Sequence, residues 1–173
     1  MIFKFKQFSI AQDKCAMKVG TDGILLGAWT KAKNPKKILD VGTGTGLIAM
    51  MMAQRFKNAK IKAIEIDLNA SQQANENFQN NPWSNRLSVE NITLQKFQHS
   101  FLFDLIVSNP PYFENNLKNS TKQRTLARHT DTLSFETLIE CSSKLLSKNG
   151  TLSIILPSQN KSKLEKIAKD HQL

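Results

Sequence analysis

The sequence predicts an α/β fold, a doubly wound and mostly parallel sheet with helices on both faces. Three observations predict it. Short apolar runs with strand character (Ile38–Val41, Ile61–Ile66, Phe103–Val107) alternate with helix-forming stretches, the pattern of parallel strands joined by crossover helices. Glycines crowd into one turn, Gly42 to Gly46, directly after a strand and before a helix. A later strand is broken by two consecutive prolines, Pro110 and Pro111, which fix two φ angles and remove two backbone donors.

Taken in order, Met1 to Phe8 alternates apolar and polar residues, the period of a half-buried strand, and Ile10 to Lys18 shows no clear period. Thr21-Asp22-Gly23 is a turn or helix start, and the apolar run Ile24–Trp29 continues as a helix. Asn34-Pro35 then punctuates the chain, so residues 1–33 read as an N-terminal extension packed on a domain at 34–173. Within that domain Lys37–Val41 is a buried strand and Leu47–Ala53 a helix whose methionines fill the core. Ile61–Ile66 is the second strand, with a helix at Asn69–Asn80. Pro82-Trp83 marks a loop, Leu87–Val89 a short third strand and Phe103–Val107 the fourth. A long polar, basic stretch fills 113–131. Ser134 caps a helix with Phe135, Leu138, Ile139, Leu145 and Leu146 on one face, stopped by Asn149-Gly150. Thr151–Leu156 is the fifth strand, and a Lys-rich helix runs on from Ser158.

Bulk properties narrow the class. The 173 residues suit one domain, and 40% hydrophobic content suffices for one core. With 24 Lys+Arg against 14 Asp+Glu the formal charge is +10, spread along the chain. Such a balance favours nucleic-acid partners through phosphate neutralisation, with an anionic small ligand or plain solubility as the alternatives. Two cysteines, Cys15 and Cys141, without paired spacing argue for a reducing, cytoplasmic setting and against a structural metal or a disulfide framework. No apolar run approaches membrane-spanning length, so no membrane partner is expected.

Three constellations carry chemistry. The first is Asp40-Val41-Gly42-Thr43-Gly44-Thr45-Gly46, a loop whose glycines let the backbone approach a ligand at a helix N-terminus. Alone, it fits NAD, FAD or S-adenosylmethionine. The dinucleotide fingerprint G-x-G-x-x-G needs glycine at position 47, where this chain has Leu47, so the spacing favours S-adenosylmethionine. Asp40 could meet the cofactor's ammonium, directly or through water. The second is Glu65 at the end of the second strand, placed to accept both ribose hydroxyls. Asp67 just beyond is the cap of the next helix, with the two able to exchange roles. The third is Asn109-Pro110-Pro111-Tyr112. The Asn109 side-chain oxygen and the Pro110 carbonyl could both accept hydrogen bonds from one planar NH2, localising its lone pair for attack on a methyl group. Tyr112 could stack on a flipped-out base, a contact worth roughly 1–3 kcal/mol. His99, His129 and His171 are scattered and form no catalytic or metal cluster.

With these residues the chain resembles a class I S-adenosylmethionine-dependent methyltransferase carrying the N/D-P-P-Y/F/W motif of amino-group methylases. That motif is shared by adenine-N6, guanine-N2 and protein-glutamine enzymes, so it specifies chemistry better than substrate. Phe5-Lys6-Gln7-Phe8 and the stretch Gln12–Trp29 resemble the opening of the bacterial tRNA1(Val) adenine-37 N6-methyltransferases, and Asn81-Pro82-Trp83 and Leu126-Ala127-Arg128-His129 are similar to segments of that family. The resemblance implies a Rossmann-like methyltransferase sheet, S-adenosyl-L-methionine as donor with S-adenosyl-L-homocysteine as product, and tRNA adenine N6 as acceptor. It implies that Lys18, Gly20 and Thr21 lie over the cofactor's methionine end together with Asp40, Gly42, Gly44 and Gly46. Glu65, Asp67 and Asn109 would complete the cofactor set, and Lys118, Lys122, Arg124 and Arg128 would face the tRNA. A monomer without metal is expected. Family members continue past Leu173 with two more strands, so the resemblance also implies that the C-terminal strands are missing from 34–173. Alternatives are another acceptor (rRNA guanine N2, DNA adenine N6, protein glutamine), a non-catalytic RNA-binding protein, or a nucleotide-dependent oxidoreductase.

Overall fold

A computed structural model describes residues 1–111 and 133–173. A small antiparallel hairpin, β1 (Ile2–Lys4) and β2 (Ser9–Ala11), precedes helix α1 (Thr21–Trp29). The main sheet follows: β3 (Lys37–Val41), β4 (Lys60–Glu65), β5 (Leu87–Asn91), β6 (Phe103–Ser108) and β7 (Leu146–Ile154). Between them run α2 (Leu47–Arg55), α3 (Leu68–Gln79) and α4 (Phe135–Leu145), and α5 (Lys161–Asp170) comes last.

The strand order is β5-β4-β3-β6-β7, and every neighbouring pair is parallel. The chain moves outward from β3 to β5, then returns to lay β6 against the other side of β3. The order therefore reverses between β3 and β6, and in such sheets ligands bind in the crevice at the strands' C-terminal ends. Register brings the sequence motifs together there. Val41 pairs with Ser108, so Gly42 and Asn109 leave the sheet side by side, and Val41 also pairs with Ile64, one residue before Glu65.

Alternating residues of the strands feed two apolar layers. Ile38, Ile61, Ala63, Leu105 and Val107 pack with α2 and α3, while Leu39, Val41, Ile64, Ile106 and Phe103 pack with Leu138 of α4. Because α1 lies on its outer side, α2 is buried nearly all round, with Met50 and Met52 wholly enclosed. Met51 faces α1 at Gly27, where a methyl group would collide with the Met51 sulfur. These methionines are core packing, as expected.

Two elements differ from the sequence expectation. β1 is exposed and belongs to its own two-stranded sheet. The alternation of Met1–Phe8 arises from aromatic packing instead: Phe5 stacks on Phe8 with centroids 4.6 Å apart, and Phe8 meets Trp83 edge-on at 5.7 Å. The second difference is at Asn149-Gly150, which does not stop the α4 helix. Ser134 caps α4 as expected, accepting from the Thr137 N–H at 3.1 Å, but the helix ends at Leu145 and β7 starts at Leu146. Gly150 sits inside that strand at an irregularity in its pairing with β6, where a methyl group would lie 2.9 Å from the Phe103 carbonyl oxygen. Its glycine serves close backbone approach within a bulge.

Candidate active site

The glycine loop is held against the end of β4. Gly42 and Thr43 donate to the Ile64 carbonyl at 3.0 and 3.1 Å, and Gly44 donates to Glu65 Oε2 at 2.8 Å. Gly42, Gly44 and Gly46 all have positive φ, at 70°, 55° and 85°. Their reasons differ. A methyl group on Gly42 or Gly44 would meet no atom within 4 Å and would project into open space, whereas on Gly46 it would lie 2.5 Å from the Phe78 ring. Gly42 and Gly44 thus keep a cradle clear, and Gly46 lets α3 close against the loop. Gly46 is a packing glycine at the start of α2 and lines neither cavity.

Two adjoining cavities open at this edge. One, about 420 Å³, is walled by Glu65, Ile66, Asp67, Thr93, Leu94 and Pro110 among others. The other, about 400 Å³, lies between the glycine loop and the segment Lys18–Gly23 at the start of α1. Met17, Gly42, Gly44 and Asn109 line both, so Asn109 stands where the two meet.

Glu65 is buried, and its second oxygen accepts from the Asp67 N–H at 3.0 Å. Asp67 caps α3, accepting from the Ala70 N–H at 2.8 Å, while also facing the first cavity. Gly20 is the N-cap of α1 and carries no capping side chain, so the first-turn N–H groups of Thr21 to Gly23 border the second cavity. Lys18 borders it too, but its ammonium donates to the carbonyls of Gln12 and Cys15, the latter at 2.8 Å, and so folds the segment leading into α1.

Asp40 departs most from expectation. It is wholly enclosed beneath the loop and lines neither cavity. Its Oδ2 accepts from the Thr43 hydroxyl at 2.6 Å and from the Ala49 N–H at 3.0 Å, joining strand end, loop and α2. Burial pushes its pKa up to about 7, against the downward pull of those two hydrogen bonds, and Oδ1 has no partner among the described residues. Asp40 is the loop's internal strut.

Ser108 donates to the Val41 carbonyl at 3.0 Å, fixing the strand end from which Asn109 emerges. Tyr112, Lys118, Lys122, Arg124 and Arg128 lie outside the described residues. Among the described residues no group of three or more His, Cys, Asp or Glu could hold a metal ion, and no helix is long and apolar enough to cross a membrane.

Sequence reasoning missed several contributors. Asn91, at the end of β5, donates to the Glu65 and Ile66 carbonyls at 2.8 and 2.9 Å and so orients the cavity wall. Asn77 of α3 bonds Ala11 in both directions and donates to the Thr45 carbonyl at 2.8 Å, tying the N-terminal hairpin to the glycine loop. Isolated asparagines give no periodic signal. Ile92, Thr93 and Leu94 also escaped notice, although an apolar stretch just past a strand end could have marked them. Cys15 lines the first cavity as an apolar wall, since burial pushes its thiol up to about 11.

The residues fit S-adenosylmethionine. The unfilled space above Gly42 and Gly44 admits a ligand against bare backbone, an acidic side chain borders one cavity and a helix N-terminus the other. The family model described as methyltransferase small domain matches residues 16–171. Over 175 residues the chain is 51% identical to the tRNA1(Val) (adenine(37)-N6)-methyltransferase of Flavobacterium psychrophilum, covering 99% of this chain and 75% of that protein. The chain belongs to this methyltransferase family. A second member, from Trichodesmium erythraeum, is 56% identical over 159 residues, covering 90% of this chain and 66% of its own length. Among solved structures, P. horikoshii TYW2 in complex with MeSAdo is similar with a TM-score of 0.68 at 14% identity, covering 98% of this chain and 59% of that one. An O-methyltransferase of Brevibacillus brevis in complex with S-adenosyl-L-homocysteine is similar at 0.62 and 16% identity, covering 87% of this chain and 51% of that one. At those identities the likeness concerns the fold, which is the class I methyltransferase sheet.

Proposed function

We propose that this methyltransferase transfers a methyl group from S-adenosyl-L-methionine to the N6 amino group of adenine 37 in tRNA1(Val). The position of Asn109, at the junction of two cavities on the sheet's switch point, carries the mechanism. The bound cofactor supplies an electrophilic methyl group on a sulfonium centre. Everything else is done by the chain. Glu65 accepts hydrogen bonds from ribose hydroxyls, and Ile66, Ile92 and Leu94 offer apolar surface to a purine. Gly42 and Gly44 admit the ligand against the backbone, while Lys18, Gly20 and Thr21 shape the wall for its amino-acid end. Asn109 and the Pro110 carbonyl accept from the target NH2 and hold its nitrogen with the lone pair directed at the methyl donor. This is catalysis by positioning and hydrogen bonding, without a strong base. Neither Asn109 nor Pro110 takes up the proton, so it leaves the methylated nitrogen to solvent. Tyr112 stacks on the base, and Lys118, Lys122, Arg124 and Arg128 contact RNA phosphates.

The supporting facts are the family membership, the formal charge of +10 and the Asn-Pro-Pro sequence at the strand exit. The chain works as a cytoplasmic monomer, with residues 1–33 as an extension of the 34–173 domain rather than a separate unit. Incubating the protein with methyl-labelled cofactor and, separately, total tRNA, rRNA, DNA and protein tests the substrate. Label is expected in tRNA, recovered as N6-methyladenosine. Label confined to rRNA, DNA or protein would refute the assignment, and RNA binding with no transfer at all would make the chain a binding protein.

A further inference from the structure

Positive charge is concentrated at the N-terminal edge of the sheet, opposite the methyl-transfer site. Segments 31–37, 55–60 and 99–104 converge there. Lys37 of β3 pairs with Lys60 of β4, the Lys60 N–H donates to the Lys36 carbonyl at 2.9 Å, and Asp104 of β6 accepts from the Lys36 and Lys37 N–H groups at 2.7 and 3.0 Å. Asp104 is the only carboxylate in these three segments. Lys31, Lys33, Lys36, Lys57 and Lys60 are exposed, Lys37 is half-buried, and none of them forms a salt bridge among the described residues.

Cations often gather at this edge of an α/β sheet because helix C-termini expose carbonyls there. Here two arginines already perform that task. Arg55 donates to the Gly27 and Thr30 carbonyls at the end of α1, both at 2.7 Å. Arg86 donates to the carbonyls of Ala53, Phe56 and Ala59 at the end of α2, at 2.7, 3.1 and 2.7 Å. The lysines are additional to them, and no salt bridge among the described residues offsets their mutual repulsion. An aromatic feature adjoins them: His99, exposed, lies 3.9 Å from the Phe101 ring, and the Lys37 ammonium sits 3.9 Å from the centre of that same ring. Cations beside an exposed imidazole match the chemistry of an RNA strand, with phosphates for the lysines and a base for the His99 ring.

We propose that this edge is a second RNA-contact surface, which holds phosphates of the substrate RNA at a distance from the modified base. The inference rests on the reading of the opposite edge as an RNA methylation site. Strand β6 spans the two edges, about 20 Å apart at its rise per residue. One RNA strand following the surface between the edges therefore needs more than about six nucleotides, at roughly 3.4 Å each.

The test compares the wild-type protein with the triple variant Lys36→Gln, Lys57→Gln, Lys60→Gln, all at exposed positions. The variant should bind full-length tRNA roughly tenfold more weakly at moderate salt. The slope of log affinity against log salt should fall by about 1 for each lysine removed. Its kcat at saturating tRNA, its affinity for S-adenosylhomocysteine and its activity on a short RNA hairpin that reaches only the catalytic edge should be unchanged. If the wild type methylates tRNA and the variant keeps the same salt slope and KM, the second surface is overturned alone. Equal losses on hairpin and full-length tRNA would also overturn it. A wild type that neither binds nor methylates any RNA would overturn the functional reading, and this inference with it.

Discussion

Replacing Asn109 with Ala should lower kcat for methyl transfer by about 10²–10³-fold, the usual loss when one preorganised hydrogen-bonding group is taken from a reacting centre. The affinity for S-adenosylhomocysteine should change far less, because Glu65, the glycine loop and the start of α1 remain in place. The fold should also survive. Asn109 is only partly buried, and the strand end before it is fixed by the Ser108 hydroxyl on the Val41 carbonyl at 3.0 Å. Asn109→Asp, which keeps an acceptor oxygen, should recover part of the rate, since the motif class admits Asp at this position. Single-turnover kinetics, with cofactor-product affinity by calorimetry and a thermal melt for each variant, separates these effects. An Asn109→Ala enzyme with unchanged kcat would mean that the target amine is not held by this side chain.

Asp40 provides the second large effect, and it concerns pH. Its carboxyl is buried, with a folded-state pKa of about 7 against an ordinary 3.8. A pKa raised in the folded state means that the folded protein holds a proton which the unfolded chain has released between those values. Stability from this group is therefore fully present below about pH 4 and is lost as pH rises through about 7. The rise from 3.8 to about 7 corresponds to about 4 kcal/mol at most. Asp40→Asn has no such titration and keeps an acceptor for Thr43 and Ala49. The unfolding free energy of the wild type, minus that of the variant, should accordingly fall by a few kcal/mol between pH 4 and pH 8. Denaturant titrations across that range measure it, and subtraction removes the contribution of every other carboxylate. Parallel curves would mean that Asp40 is charged in the folded protein throughout.

The parts of this site that were legible in the sequence are those whose chemistry is local. Gly42 to Gly46 and Pro110-Pro111 constrain the backbone by their own covalent structure, and each falls at a strand end that can be read from apolar runs. Asp67 and Ser134 could be placed because a helix cap acts within three residues. Residues whose partners lie far along the chain could not be placed. Nothing local distinguishes Gly46, which is glycine because of Phe78, from Gly44, which faces open space. Asp40 occupies a motif position that suggests contact with a ligand, yet burial under the loop turns it inward. The Asn149-Gly150 pair has the composition of a helix stop, and only the pairing of β7 with β6 shows it to be a bulge within a strand. Lys18 is a different case: its partners, the carbonyls of Gln12 and Cys15, are near in sequence, but a lysine carries no local signal that its cation bonds backbone rather than a ligand.

The central claim is that Asn109 and its neighbours serve one adenine of one tRNA. The most direct measurement is nucleoside mass spectrometry on tRNA1(Val) purified from cells with and without the gene, with fragment mapping of position 37. N6-methyladenosine is expected at that position in the parent, with its loss on deletion, its return with the wild-type gene and no return with the Asn109→Ala form. Methyladenosine that persists at position 37 after deletion would contradict the central claim.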